Sequence, residues 1–211
     1  MGRGQSVEHR VAGQRHPGRM TPPQTAASSA HRRDDTITLR LGTPADAHDL
    51  ARAAATFFLD TFGEANRRED MEAYLASAFS ASRQRAELAD PDNRIWLART
   101  PGEIAGYAHV RRSATPAASS IGRRPAVEIA RIYAGRQWHG RGLGATLLEA
   151  CVSSAREWGG DLLWLGVWER NPRAIAFYGK HGFQVVGEQP FLLGSDLQRD
   201  LVMARRLTND G

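Results

Sequence analysis

Apolar and polar residues alternate over positions 36–41, where Ile37, Leu39 and Leu41 separate Thr36, Thr38 and Arg40, and the run stops at Gly42. That two-residue period predicts a half-buried strand. The period then lengthens. Thr43 stands where a helix is capped, Pro44 where one opens and Asp46 in its first turn, ahead of Leu50, Ala54, Phe57 and Phe58 at helical spacing. A second helix is predicted over about 68–79, with Met71, Tyr74, Leu75 and Ala78 on one face, and Ser80 caps a short third helix through Leu88. Beyond the Asp90-Pro91 break, 95–98 and 104–110 flank a Pro101-Gly102 turn and predict a β-hairpin. Residues 113–125, rich in Ser, Ala, Pro and Gly, predict a long loop.

A strand at 127–134, an amphipathic helix at 143–158 and an apolar strand at 162–167 form a β-α-β crossover, which requires parallel strands. A short helix at 172–180 and strands at 183–186 and 200–204 complete the chain. The expected fold is α/β, a mixed central sheet of about seven strands flanked by helices.

Composition narrows the function. Of 211 residues, 41% are hydrophobic and 24% charged, which excludes wholesale disorder and a disulfide scaffold. No apolar run is long enough to span a bilayer, so no membrane partner is expected. The single cysteine, Cys151, cannot pair within the chain or build a thiolate metal site; no metal is expected, and a reducing cytoplasm fits. The net charge of +5 is concentrated in residues 1–35, where six arginines face three acids, leaving +2 for the remainder. A nearly neutral body argues against a nucleic-acid partner. Residues 1–35, with adjacent Pro22 and Pro23 and few apolar groups, are expected to be a disordered tail without a secretory h-region; 36–207 are expected to be one domain.

Chemistry enters at the crossover. Between strand and helix runs Gly135-Arg136-Gln137-Trp138-His139-Gly140-Arg141-Gly142-Leu143-Gly144. Glycines let the backbone approach a ligand closely, and the first amides of the helix are unpaired donors at its positive end, so this turn is an anion cradle. No Lys-Ser or Lys-Thr pair follows, which excludes a nucleoside-triphosphate loop, and Ala145 breaks the dinucleotide pattern counted from Gly140. A pyrophosphate of another kind is expected.

Gln137-X-X-Gly140-X-Gly142 resembles the acetyl-coenzyme A signature of the GNAT superfamily of N-acetyltransferases, and Asn171-X-X-Ala174-X-X-Phe177-Tyr178 followed by Gly182-Phe183 resembles that superfamily's second landmark. Val127-Glu128-Ile129-Ala130-Arg131-Ile132-Tyr133, Trp164-Leu165-Gly166-Val167-Trp168-Glu169-Arg170-Asn171 and Asp200-Leu201-Val202-Met203-Ala204 are similar to PaiA-like polyamine acetyltransferases, which often carry an acid where this chain has Ala130. The resemblance implies the GNAT fold and an enzyme using acetyl-coenzyme A as co-substrate. Backbone amides of Gln137, Trp138, His139, Gly140, Arg141, Gly142, Leu143, Gly144 and Ala145 would hold the pyrophosphate, and Ile132, Tyr133 and Ala134 the pantetheine arm. Asn171, Ala174, Phe177 and Lys180 would complete that pocket, and Tyr178 would protonate the departing thiolate. Core packing, as for Phe177, is the alternative for Tyr178.

A primary amine arrives mostly as ammonium, so a base is needed. Glu128 is the candidate, with an edge salt bridge to Arg131 as its alternative and Glu169 as second choice. Cys151, in register with Leu147, Leu148 and Ala155, reads as core, and direct transfer needs no acyl-enzyme. Trp164 and Trp168 share a strand face and read as core or channel wall. Phe58, Asp60, Phe62, Glu64 and Tyr74 are expected on the acceptor side, where acids among aromatics suit a cation. The expected acceptor is a polyamine or other small-molecule amine. A coenzyme A-binding sensor without turnover and an acetyltransferase of protein N-termini or lysines are the alternatives, and a homodimer remains open.

Overall fold

The computed structural model describes residues 36–112 and 126–207. The expected tail at 1–35 and the loop at 113–125 lie outside the described residues. Seven strands form one mixed sheet: β1 (Thr38–Leu41), β2 (Asn93–Arg99), β3 (Ile104–Arg112), β4 (Ala126–Ala134), β5 (Leu162–Trp168), β6 (Gln184–Leu193) and β7 (Asp196–Arg206), in the order β1-β2-β3-β4-β5-β7-β6. Five α-helices accompany them: α1 (Ala47–Phe62), α2 (Arg68–Ala78), α3 (Ala81–Ala89), α4 (Leu143–Glu157) and α5 (Pro172–Lys180).

The two faces of the sheet bury separate cores. On one, Leu147, Leu148, Cys151 and Ala155 of α4 pack on Val110, Val127, Ile129, Leu163 and Leu165, with Tyr178 of α5 and Phe183 beside them. On the other, Leu50, Ala54, Phe57 and Phe58 of α1 pack on Ile95, Leu97 and Tyr107, with Met71 of α2 and Phe79. The predicted helix starts hold locally: the Thr43 amide donates to Asp46 Oδ2 at 2.9 Å, and Ser80 Oγ accepts from the Arg83 amide. A cysteine buried this completely has its thiol pKa pushed up, so Cys151 stays protonated as a core residue.

Two features depart from the sequence pattern. The last strands are far longer than 183–186 and 200–204, because β6 and β7 form a hairpin around Gly194 and Ser195. Asp70 at the start of α2 holds that turn, its Oδ1 accepting from the Ser195 amide at 2.6 Å and hydroxyl at 2.8 Å. Gly194, at φ 60°, lies so close that a Cβ there would stand 2.5 Å from the Asp70 Cα. The second feature is a bulge in β4: His109 faces Arg131 and Val110 faces Ile129, leaving Ala130 without a partner. The extra residue rotates the strand, so Arg131 and Tyr133 emerge on the α1 face with Glu128, while Ile132 and Ala134 turn to the α4 core.

Candidate active site

β4 and β5 are parallel, as the crossover requires, but pair only at Ala126↔Leu162, Val127↔Leu163 and Glu128↔Trp164. Beyond Glu128, where the bulge bends β4, the strands part. The open edge of β4 at Ile132, Tyr133 and Ala134 then faces Gly166, Val167 and Trp168 across a notch. Backbone groups along such an edge have no strand to bond.

The glycine turn lies at the end of β4. Arg136–Trp138 form one 3-10 turn, and Gly142, at φ 85°, caps α4 with no side-chain hydrogen bond. Gly140 takes φ 75°, and a Cβ at either glycine would meet only open space, so these residues are required by conformation and leave the approach clear. The amides of the first turn of α4 therefore point outward at the helix's positive end. Cationic side chains belong to the turn and to the neighbouring start of α5. Arg141 lies over the Trp138 ring at 5.2 Å, and Arg136 donates to the Asp60 carbonyl at 2.7 Å. His139 Nε2 stands 2.9 Å from the Ala134 carbonyl oxygen and 2.9 Å from the Arg173 guanidinium, and a neutral ring serves one of them at a time. Gln137 donates to Glu103. Open amides, positive φ, empty approach and clustered cations fit the pyrophosphate of coenzyme A, and the unpaired edge of β4 fits the amides of its pantetheine arm.

Among the side chains of this turn, Trp138 is buried and packs in the α4 core, so it anchors the loop rather than facing a ligand. Asn171 Oδ1 accepts from the Ala174 amide at 3.1 Å and starts α5. Phe177 lies against Gly144, whose Cβ would stand 3.5 Å from the ring, and Lys180 is exposed. Tyr178 is buried between Phe177 and Phe183, and desolvation pushes its phenol up, so it is protonated at neutral pH.

The opposite side of the notch is aromatic. Phe58 contacts Phe62 at 4.6 Å, Tyr74 at 4.7 Å and Tyr133 at 6.5 Å, and Phe62 meets Trp168 edge-on at 5.8 Å. Phe58, Phe62 and Tyr74 therefore come together in one aromatic cluster. Asp60, on the exposed side of α1, instead lies 3.8 Å from Arg136, and Glu64 is exposed. Trp164 is buried with Leu162, Val202 and Ala204, whereas half-buried Trp168 belongs to the wall.

The proposed ion pair of Glu128 with Arg131 does not form. Both side chains do share a face because of the bulge, but Glu128 Oε2 accepts from Arg111 Nη2 at 2.6 Å and Nε at 3.0 Å. Arg131 turns to Glu87 of α3, 2.7 Å away, which also accepts from Arg83. The same guanidinium lies 3.4 Å from His109 Nδ1, and His109 Nε2 lies 3.0 Å from Asn93 Oδ1. The imidazole accepts from Arg131 and donates to Asn93, a neutral tautomer consistent with a pKa pushed down to about 3 by burial and then by Arg131. Glu169, the other carboxylate considered, is paired with Arg199.

Pattern reasoning missed Asp200, whose carboxylate is buried on the acceptor face and raised by desolvation to about 6. Its signal was present: a lone acid whose parity with Val202 and Ala204 places it on their buried face. Among the described residues, no His, Cys, Asp and Glu group could hold a metal ion, and no helix is long and apolar enough to cross a membrane.

A sheet parted between two parallel strands, with a glycine-built anion cradle at its mouth, is a site shaped for an extended ligand that carries a pyrophosphate. The acetyltransferase (GNAT) family model matches residues 53–183. An uncharacterized N-acetyltransferase of Lactobacillus delbrueckii subsp. lactis is 35% identical over 71% of this chain and 86% of its own. One from Mycobacterium tuberculosis is 35% identical over 77% of this chain and 98% of its own. The crystal structure of the PaiA N-acetyltransferase of Thermoplasma acidophilum in complex with coenzyme A matches with a TM-score of 0.65 and 19% identity, over 82% of this chain and 99% of that one, a likeness of fold. The chain belongs to the GNAT family and is an acetyl-coenzyme A-dependent N-acyltransferase.

Proposed function

We propose that the protein transfers acetyl directly to a small primary amine, with a polyamine as the leading candidate. The observation that carries this is the notch itself, which opens between an anion cradle on one side and an aromatic wall with buried carboxylates on the other. The sequence resemblance to PaiA-like polyamine acetyltransferases supports the polyamine choice.

When bound, acetyl-coenzyme A supplies the thioester that is to be attacked. The amides from Gln137 to Ala145 hold its pyrophosphate, with Arg136, Arg141 and Arg173 adding positive charge. The free edge of β4 at Ile132, Tyr133 and Ala134 orients the pantetheine arm and aims backbone N–H groups at the carbonyl oxygen. Asn171, Ala174, Phe177 and Lys180 border the same pocket. Tyr178 donates its proton to the sulfur as the C–S bond breaks. Glu128, neutralised by Arg111, leaves the removal of the amine proton to a carboxylate without an arginine.

The test is thiol release from acetyl-coenzyme A with spermidine, spermine, amino acids, aminoglycosides and short peptides, using wild type and Tyr178→Phe. Turnover of a small amine is expected, with kcat lowered about 100-fold in the variant and acetyl-coenzyme A affinity unchanged. Tight acetyl-coenzyme A binding with no turnover on any acceptor overturns the amine assignment in favour of a sensor or a macromolecular acceptor. An unchanged kcat in Tyr178→Phe removes the phenol from the reaction.

A further inference from the structure

Five carboxylates are buried among the described residues: Asp46, Asp70, Glu87, Glu128 and Asp200. Four are occupied. Asp46 is held by Arg40 and Arg99, Asp70 by Ser195, Glu87 by Arg83 and Arg131, and Glu128 by Arg111. Asp200 alone has neither a hydrogen bond nor an ion pair among the described residues. A carboxylate that is largely covered, has no cation beside it and keeps its oxygens open to approach commonly awaits a ligand.

Its position indicates which ligand. Asp200 sits on β7 opposite Trp168 of β5 and Gln189 of β6. Its Oδ2 overhangs the bare backbone of Gly166, where a Cβ would stand 3.0 Å from that oxygen and 2.6 Å from Gln189 Nε2. Gly166 lies beyond Trp164, the last residue of β5 paired with β4, in the parted stretch that faces the free edge of β4. Tyr74 of α2 is a titratable group that senses the Asp200 charge, and the other charges acting on Tyr74 are Glu87 and its two partners Arg131 and Arg83. Trp168 and Gln189 beside Asp200 are uncharged.

We infer that Asp200 receives the ammonium group of the acceptor beside the Phe62–Trp168 wall and takes its first proton, making the acceptor a cationic amine. This rests on the acetyl-transfer proposal above. The carboxylate binds R–NH3+ and accepts one proton, and the freed lone pair of R–NH2 forms the new C–N bond as the C–S bond breaks. Tyr178 gives its proton to the sulfur, and the second nitrogen proton restores the phenol. The Asp200 proton then passes to solvent, so the products are the acetamide, the free thiol and one released proton. The raised carboxyl pKa of about 6 leaves the group ionised at neutral pH yet more basic than a solvated aspartate.

The experiment compares the full chain with Asp200→Asn and Asp200→Glu, loaded with coenzyme A and titrated with spermidine in a calorimeter, alongside steady-state turnover over the amine panel. Asp200→Asn is expected to lose about 30-fold in spermidine affinity and at least about 100-fold in kcat/KM. Its coenzyme A affinity is expected to hold, its melting temperature at neutral pH to stay or rise because a buried charge is gone, and Asp200→Glu to recover part of the loss. Wild-type spermidine affinity is expected to fall as pH drops through about 6, and that dependence to vanish in Asp200→Asn. Unchanged amine affinity and kcat/KM in Asp200→Asn overturn the assignment while acetyl transfer stands. Loss of coenzyme A affinity in the same variant overturns it too, since the role would be structural. A wild type that binds and acetylates no amine of the panel overturns the amine proposal, and the role of Asp200 falls with it.

Discussion

The two sides of the notch between β4 and β5 are built on opposite plans. The cradle comes from a single stretch of chain: one strand end, one glycine turn and the first turn of α4, with backbone as the chemistry. The acceptor side comes from α1, α2, β4, β5, β6 and β7, and its chemistry is all side chain, with Phe62, Tyr74, Trp168 and Asp200 far apart in sequence. A pyrophosphate is the same group in every reaction of this type, and backbone amides suffice to read it. Acceptors differ, and side chains carried on separate elements change without disturbing the cradle.

If that division holds, a conformational lesion in the turn should damage one side alone. At Gly142 the φ of 85° lies where a β-branched residue is strongly disfavoured, although the space outside is open. Gly142→Val is expected to weaken acetyl-coenzyme A binding by about 10- to 100-fold, corresponding to the strain of about 1–3 kcal/mol or displacement of the amides. Calorimetry with coenzyme A measures this, and the KM for the amine at saturating acetyl-coenzyme A should stay within about twofold. A large rise in amine KM would mean that the two sides are not separable.

The same division explains what could be read from the chain. Gly140, Gly142, Asn171 and the crossover pattern are local signals, and α4, α5, β4 and β5 appear close to their predicted bounds. The bulge at Ala130 was invisible, since one extra residue in a strand is defined only by the register of its partner β3. Without it, strict alternation puts Glu128 and Arg131 on opposite faces; with it they share one, and the choice of Arg111 for Glu128 and Glu87 for Arg131 depends on strands and a helix brought in from elsewhere. The β6–β7 hairpin was underestimated because Gly187, Glu188, Gln189 and Pro190 interrupt the apolar run, although an edge strand tolerates such residues. Asp60 and Glu64 drew attention by sequence proximity to Phe58 and Phe62, but helical geometry turns them outward.

The acceptor side should also answer to pH where the cradle does not. His109 is held near a pKa of about 3 in the fold, against about 6.5 when unfolded, so the unfolded chain takes up a proton that the fold refuses. Stability fully present above about pH 6.5 is therefore lost as pH falls from there toward 3, by about 2 kcal/mol at pH 5. Asp200 works in the opposite sense. Its folded pKa of about 6 exceeds the unfolded value of about 3.9, so the fold gains a proton first and stability rises as pH falls from about 6 to 4. Urea midpoints at about pH 7.5 and 5 are expected to fall less with acid in His109→Gln than in wild type, and more in Asp200→Asn. Equal acid sensitivity in all three proteins would show that neither group is buried as described.

The smallest effect probes the contact between Gly166 and Asp200. An alanine methyl there would meet Gln189 Nε2, the end of a flexible side chain that can swing away, and Asp200 Oδ2, which stands at 3.0 Å and is part of a shorter, more constrained side chain. Gly166→Ala should shift the carboxylate by a few tenths of an ångström without disturbing the β5–β7 ladder. We expect amine KM to rise about fivefold, corresponding to about 1 kcal/mol, with kcat lowered less and acetyl-coenzyme A affinity unchanged. Combined with Asp200→Asn, the alanine should add nothing, because the group it displaces no longer holds the ammonium. Additive losses in the double variant would instead mean that Gly166 matters for the shape of the notch and that its closeness to the carboxylate is incidental.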